Sequence, residues 1–170
     1  TMVFTSSTKN NVNVLDEFIN KGYNAKLFDS VNDNELGRKE IVKWFSDNDD
    51  AILINTGVFT TGFDNTEVQC IILNRATTSL SLYLQMVGRG ARSSKKIYKD
   101  SFLVIDLGGN IDRFNSWSDP TRDWEKIFYH GLGKTKAKKE SILDVKECKE
   151  CGYLMPRSEV ECTECGHIPK

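Results

Sequence analysis

Five short apolar runs recur through residues 1 to 108: Met2-Val3-Phe4, Ala25-Lys26-Leu27-Phe28, Ala51-Ile52-Leu53-Ile54, Val68 to Leu73 and Phe102-Leu103-Val104-Ile105. Runs of this length are strands, and where apolar residues do not alternate with polar ones both faces must be covered, which favours a parallel sheet packed between helices. The segments between them supply the helices. Val12, Leu15, Phe18 and Ile19 recur at helical spacing within Thr8 to Lys21, which Gly22 closes. Leu36, Ile41, Val42, Trp44 and Phe45 do the same within Glu35 to Ser46, and a third helix is expected over Ser79 to Arg89. This alternation predicts an α/β domain with a mostly parallel sheet flanked by helices. Ligands of such sheets gather at the carboxyl ends of the strands, so the loops after them are where chemistry is to be sought.

A length of 170 residues supports about one domain plus an appendage. Apolar residues make up 39% and charged residues 28%, a globular mix that excludes disorder and fibrous repeats. With 23 basic and 24 acidic residues the formal charge is −1, which excludes a strongly basic nucleic-acid binder in bulk and leaves local patches open. No apolar run approaches the ~18 residues of a membrane span, so no membrane partner is expected. No charged leader precedes an apolar stretch, so no secretion signal is visible and a cytoplasmic protein is expected. Thr1-Met2-Val3-Phe4 looks like a chain cut just before a core strand.

Four of the five cysteines fall in the last 23 residues as Cys148-x-x-Cys151 and Cys162-x-x-Cys165, with ten residues between the pairs. Glycine follows each pair, as Gly152 and Gly166, and lets a tight turn reach positive φ while backbone amides face the sulfurs. Two such turns supply the four soft ligands of a tetrahedral zinc site, structural because no position is left open for chemistry. Two disulfides would need an oxidising compartment that nothing else here supports, and a redox pair would not explain a duplicated motif. His167 is a bystander to a complete cysteine set, and Cys70, within an apolar run, is a buried small hydrophobe. Residues 113–120 are irregular and aromatic, and Trp124 to Tyr129 form a short helix. Lys134-Thr135-Lys136-Ala137-Lys138-Lys139 is a basic linker, either a solvated tether or a phosphate contact. The expected organisation is an α/β domain over residues 1–130, a linker over 131–145 and a zinc ribbon over 146–170.

Two loops carry candidate chemistry. Asn55 to Asp64 follows the third strand with small and hydroxylated residues, suited to close approach of a phosphate or sugar, and Asp64 adds an acceptor beside Gly62. In Gln85-Met86-Val87-Gly88-Arg89-Gly90-Ala91-Arg92, helical spacing puts Gln85, Arg89 and Arg92 on one stripe. Two guanidinium groups on one line suit bidentate clamping of a polyphosphate. The glycines flanking Arg89 each cost roughly 1 kcal/mol in a helix, which makes sense if another surface must approach the backbone there. Gly131-Leu132-Gly133-Lys134-Thr135 ends like a Walker A loop, but the required first glycine position holds Phe128 and no strand precedes it.

Together these loops resemble the second RecA-like domain of superfamily 2 helicases and translocases. Thr56, Gly62 and Asp64 match motif V, Gln85-x-x-Gly88-Arg89-x-x-Arg92 matches motif VI, and Val3-Phe4-Thr5-Ser6-Ser7 lies where motif IV is expected. Arg38-x-x-Ile41-x-x-Trp44-Phe45 looks like the helix between motifs IV and V. Thr60-Thr61-Gly62-Phe63-Asp64, Tyr83 to Gly90, Asp106-Leu107-Gly108-Gly109-Asn110 and a four-cysteine C-terminal module are most similar to RadD-type bacterial repair helicases and their phage relatives. The resemblance implies that Arg89 and Arg92 are arginine fingers toward ATP and Mg held on an N-terminal RecA-like domain of the same protein, with Gln85 orienting that face. It implies nucleotide contacts for Asp64, Gly62 and Gly88, and nucleic-acid backbone contacts for Ser6, Ser7, Thr56 and Arg38, largely independent of sequence. DNA is the favoured strand, RNA is not excluded, and repair or replication proteins are candidate partners of the zinc module. No Walker A or Walker B motif lies within the chain, so the expectation is half of a motor, inactive as an ATPase alone. The alternative is a RecA-like scaffold that has lost activity and presents a zinc-ribbon binding module.

Overall fold

The computed structural model describes residues 1–29, 35–56, 59, 65–130, 145–150, 153–156 and 159–168. Among these, seven strands and five helices follow in the order β1 (Met2–Thr5), α1 (Thr8–Asn20), β2 (Ala25–Phe28), α2 (Glu35–Asp47), β3 (Ile52–Asn55), β4 (Cys70–Asn74), α3 (Leu80–Val87), β5 (Leu103–Asp106), α4 (Asn110–Phe114), α5 (Trp124–His130), β6 (Val145–Glu147) and β7 (Leu154–Pro156). The first five strands form one sheet in the order β2-β3-β1-β4-β5, and every pairing in it is parallel.

The apolar runs become strands because each alternate residue finds a different cover. Met2, Phe4, Leu53, Ile71 and Leu73 point to one side, where they meet Ile41, Val42, Trp44 and Phe45 of α2 and Leu80, Tyr83, Met86 and Val87 of α3. Val3, Ile52 and Ile54 point to the other, against Val14, Leu15 and Phe18 of α1. The expectation of a sheet covered on both faces holds for the three central strands. It fails at the edge, where Leu103 and Ile105 of β5 are 57% and 38% exposed because α1 does not reach that far across the sheet.

The connection from β1 runs through α1 to one side of the sheet, while that from β4 runs to β5 on the other. The switch point therefore lies between the adjacent carboxyl ends of β1 and β4. Buried polar groups organise this edge. Thr5, Asn11 and Asn55 are fully buried. Asn55 donates to the Val3 carbonyl at 3.2 Å, while the Thr5 hydroxyl faces both the Asn55 carbonyl at 3.3 Å and the Asn11 side chain. Ser7 caps α1 by accepting from the Asn10 amide at 3.2 Å.

A second polar knot joins the loops after β4 and β5. Fully buried Asn110 donates to the Arg75 carbonyl at 2.9 Å and to the Asp106 carboxylate at 2.8 Å, and accepts from the Thr77 amide at 2.9 Å. Asp106 also accepts from the amides of Gly108 and Ile111. Gly108 lies so close to the Arg75 carbonyl that a Cβ there would overlap it. Thr77 accepts from the Ser79 amide at 3.0 Å, and Ser79 caps α3 through the Leu82 amide at 3.2 Å. The knot also creates α4, a helix that the irregular-looking sequence after Asn110 did not suggest.

Asn110→Ala removes the partner of the buried Thr77 amide and of the Arg75 carbonyl. Chemical denaturation of the domain should show a loss of about 1–3 kcal/mol.

Candidate nucleotide and nucleic-acid site

The candidate backbone-contact residues converge on one edge. Ser6 and Ser7 follow β1 and Thr56 follows β3, and these strands are paired with Phe4 opposite Asn55. Arg38, on α2, stands with its guanidinium 5.2 Å from the ring centroid of Phe59, a fully buried residue of the loop after β3. Phe59 in turn lies 5.0 Å from the Phe28 ring at the end of β2. The aromatic anchor brings α2 and this loop together, so Arg38 and Thr56 belong to one neighbourhood. Gly62 and Asp64 lie outside the described residues.

The motif-like segment after β4 departs from the helical stripe expected of it. α3 ends at Val87, and the chain continues as a turn in which the Gly90 amide donates to the Val87 carbonyl at 2.9 Å and the Arg89 amide to Met86 at 3.3 Å. Gln85 is exposed on α3 and donates to Ser81 at 3.2 Å. It lines a groove of about 590 Å³ with Thr78, Leu84, Trp124 and Ile127. Arg89 is only 8% exposed, and Arg92 is half-buried. Gln85, Arg89 and Arg92 thus do not share a continuous helical face, because the helix has unwound before the arginines are reached.

The surface that approaches Gly90 belongs to this same domain. A Cβ at Gly90 would strike the Phe102 ring, with Cε2 at 2.8 Å, and would lie 3.0 Å from Ile71 Cγ1. At Gly88 it would lie 2.8 Å from the Leu84 carbonyl oxygen. Close packing of the arginine-bearing turn onto β4 and the start of β5 explains the glycine. Sequence reasoning had assigned that closeness to an outside surface.

α3 separates the two groups of candidates. It starts from the loop after the carboxyl end of β4 and, at 1.5 Å per residue, its eight residues carry the chain about 12 Å back. The turn at its far end is tied to the approach to β4, where Lys99 bridges the carbonyls of Arg92, Thr66 and Val68. Ser6, Ser7 and Thr56 therefore occupy the strand carboxyl edge, while Arg89 and Arg92 follow the opposite end of the helix. Burial lowers the pKa of the Lys99 ammonium below that of an ordinary lysine. Nothing in the sequence singled out Lys99, which follows Lys95 and Lys96 in a run that looks like a solvated surface.

At the C-terminus, β6 and β7 pair antiparallel with Lys146 opposite Met155. The sulfurs of Cys148, Cys162 and Cys165 lie within 4.8 Å of one another, with 3.6 Å between those of Cys148 and Cys165. A disulfide would need about 2.05 Å. Metal–sulfur bonds of about 2.3 Å at tetrahedral angles put sulfurs roughly 3.8 Å apart, so these three thiols fit a soft metal. The Cys148 amide donates to the Tyr153 carbonyl at 2.8 Å, the Cys162 amide to His167 at 2.9 Å, and Gly166 has φ +72°, as a tight cysteine turn requires. Met155 is fully buried between Cys148 and Cys162. Cys151 lies outside the described residues.

Residues 1–94 match the family model described as the helicase conserved C-terminal domain. The chain belongs to that family. The match spans the strand-end loops and closes just after Arg92. A 51.5 kDa protein of a Lactococcus phage is 31% identical over 118 residues, covering 68% of this chain and 24% of the phage protein. The putative ATP-dependent helicase IRC3 of Saccharomyces cerevisiae is 39% identical over 75 residues, covering 44% of this chain and 11% of that protein. The chain thus spans under a quarter of the length of these relatives. In fold it is similar to domain 2 of the DEAD-box helicase Mss116p, solved bound to an RNA duplex, at a TM-score of 0.52 and 19% identity over 68% of this chain and 47% of that one. The parallel sheet and its helices are RecA-like. No helix among the described residues is long and apolar enough to cross a membrane.

Gly90→Ala should destabilise the domain by about 1–3 kcal/mol through overpacking against Phe102. Gly90→Ala combined with Phe102→Leu, which opens the same space, should recover part of that loss in thermal denaturation.

Proposed function

We propose that this helicase C-terminal domain is one half of an ATP-dependent motor that moves along DNA, with the nucleotide and Mg cradled by an N-terminal RecA-like domain of the same protein. The supporting observation is the division of the candidate residues across α3. Hydroxyl groups at the strand carboxyl edge suit a phosphate backbone, and the arginines beyond the helix suit a nucleotide held by a second body. Ser6, Ser7, Thr56 and Arg38 make backbone contacts that are independent of sequence and sensitive to salt. Arg89 and Arg92 stabilise negative charge on the γ-phosphoryl group as it transfers, with Gln85, Gly88, Gly62 and Asp64 completing the nucleotide face. The domain alone, lacking the Mg-ATP cradle, hydrolyses no ATP. ATP, when bound and hydrolysed, drives closing and opening of the two bodies around the strand. The RadD-like segments favour DNA over RNA and a role in repair, in the bacterial or phage-infected cytoplasm.

In the intact protein, Arg89→Ala and Arg92→Ala should each lower kcat for nucleic-acid-stimulated ATP hydrolysis by about 10³-fold or more and leave nucleic-acid affinity within about twofold. Full turnover in both variants would defeat the finger assignment. No nucleic-acid-stimulated hydrolysis in the unsubstituted protein, together with intact DNA binding, would favour the inactive-scaffold reading.

Cys148, Cys151, Cys162 and Cys165 hold one structural zinc as thiolates, and the ribbon offers a contact for DNA or for repair and replication proteins. Metal analysis should find one zinc per chain, lost in Cys148→Ser and Cys162→Ser. Chelation should unfold residues 146–170 and leave the parallel sheet intact, as read by backbone amide spectra.

A further inference from the structure

Between Arg92 and β5 the chain has no regular secondary structure, yet it is fastened along its length to the residues that lead into β4. The Lys99 ammonium is the main fastening. It donates to the carbonyl of Thr66 at 3.3 Å, to that of Arg92 at 3.1 Å and to that of Val68, so its three N–H bonds each have a backbone acceptor. The Thr66 and Ser94 hydroxyls meet at 3.4 Å, and Lys96 pairs with Glu67 at 3.4 Å along the same seam.

Two elements press on the arginine turn. Phe102 fills the space beside Gly90, and the Lys99 ammonium stands 5.9 Å from the centroid of that same ring. The Lys99 hydrogen bond to Arg92 then fixes the last residue of the turn. Three carbonyls converging from two segments suit the compact charge and tetrahedral donors of an ammonium better than a planar guanidinium. Thr66 and Val68 are the exit of the loop that begins at Thr56, while Arg92 is the exit of the turn that begins at Gly88. One side chain therefore spans the exits of both candidate loops.

We propose that Lys99 is a positioning residue for ATP hydrolysis, holding the Arg92 backbone against the segment that leads into β4 and so fixing the placement of the arginine. This rests on the reading of Arg92 as a finger. Lys99 acts through Arg92 and has no part in holding the nucleotide.

The test uses the intact protein with Lys99→Met, which keeps a stem over Phe102 and removes all three donors. The expected result is a fall in kcat of about tenfold or more in nucleic-acid-stimulated hydrolysis, with KM for ATP and the nucleic-acid Kd within about twofold. Because Lys99 works through Arg92, Lys99→Met combined with Arg92→Ala should be no slower than Arg92→Ala alone. If Lys99→Met does not fold, Lys99→Gln, which retains two N–H donors, tests the same split. Unchanged kcat in the lysine variant beside a crippled Arg92→Ala overturns the proposal and leaves the finger reading standing. Multiplicative losses in the double variant, or a lowered melting temperature with unaltered kcat, also overturn it. Unimpaired hydrolysis in Arg92→Ala removes the finger reading and this proposal with it.

Discussion

Every residue of β1 is buried: Met2 and Phe4 on one face, Val3 on the other, Thr5 at the carboxyl end, none more than 1% exposed. A strand with no solvent face needs a neighbour on each edge and a helix layer on each side, and the rest of the domain supplies them. β3 and β4 pair with it, α1 covers Val3, and α2 and α3 cover Met2 and Phe4. Each of these elements contributes a loop at the same edge. The central strand thus gathers Ser6, Thr56 and Arg75 without any of them having to attract the others.

Burial of that strand has a cost at its end, where polar groups leave water. Thr5, Asn11 and Asn55 meet it with hydrogen bonds among themselves and to the backbone, and Arg75 reaches across from β4 to the Thr5 carbonyl at 3.5 Å. Leaving one such group unpaired would cost about 1–3 kcal/mol. These bonds tie the carboxyl ends of β1 and β3 together. Helices there are capped by side chains, Ser7 for α1 and Ser79 for α3, which fixes where each begins.

Hydrophobic spacing made the layers legible. Ala25–Phe28 is the same strand in sequence and structure, and α1 and α2 end within one residue of their expected limits, because burial of an apolar face is a local pattern. Features set by contacts distant in the chain were not visible. Periodicity carried α3 on to Arg89, whereas packing of Gly90 against Phe102 ends it at Val87. α4 depends on Asp106 and Asn110 meeting residues 75 to 77, and no spacing within 110–114 announces that. Outward Leu103 and Ile105 illustrate the same limit, since an apolar run does not say which of its faces will be covered. The cysteine pairs were legible as type and spacing, and the sulfurs of Cys148, Cys162 and Cys165 cluster as a soft metal would require, while Cys151 lies outside the described residues.

α3 is restrained at both ends by groups from outside itself. At its start Ser79 is held by Thr77, Thr77 by Asn110, and Asn110 by Asp106 at the end of β5. Just past its end, Phe102 and Lys99, which precede β5, press on Gly90 and Arg92. Both anchors therefore belong to the two sides of a single strand, so β5 and α3 form a closed frame. A short helix framed this way cannot tilt at one end without straining the other, because packed interiors shift between discrete arrangements and resist continuous deformation. The frame holds the loop before α3 and the arginine turn after it in a fixed relation to β5.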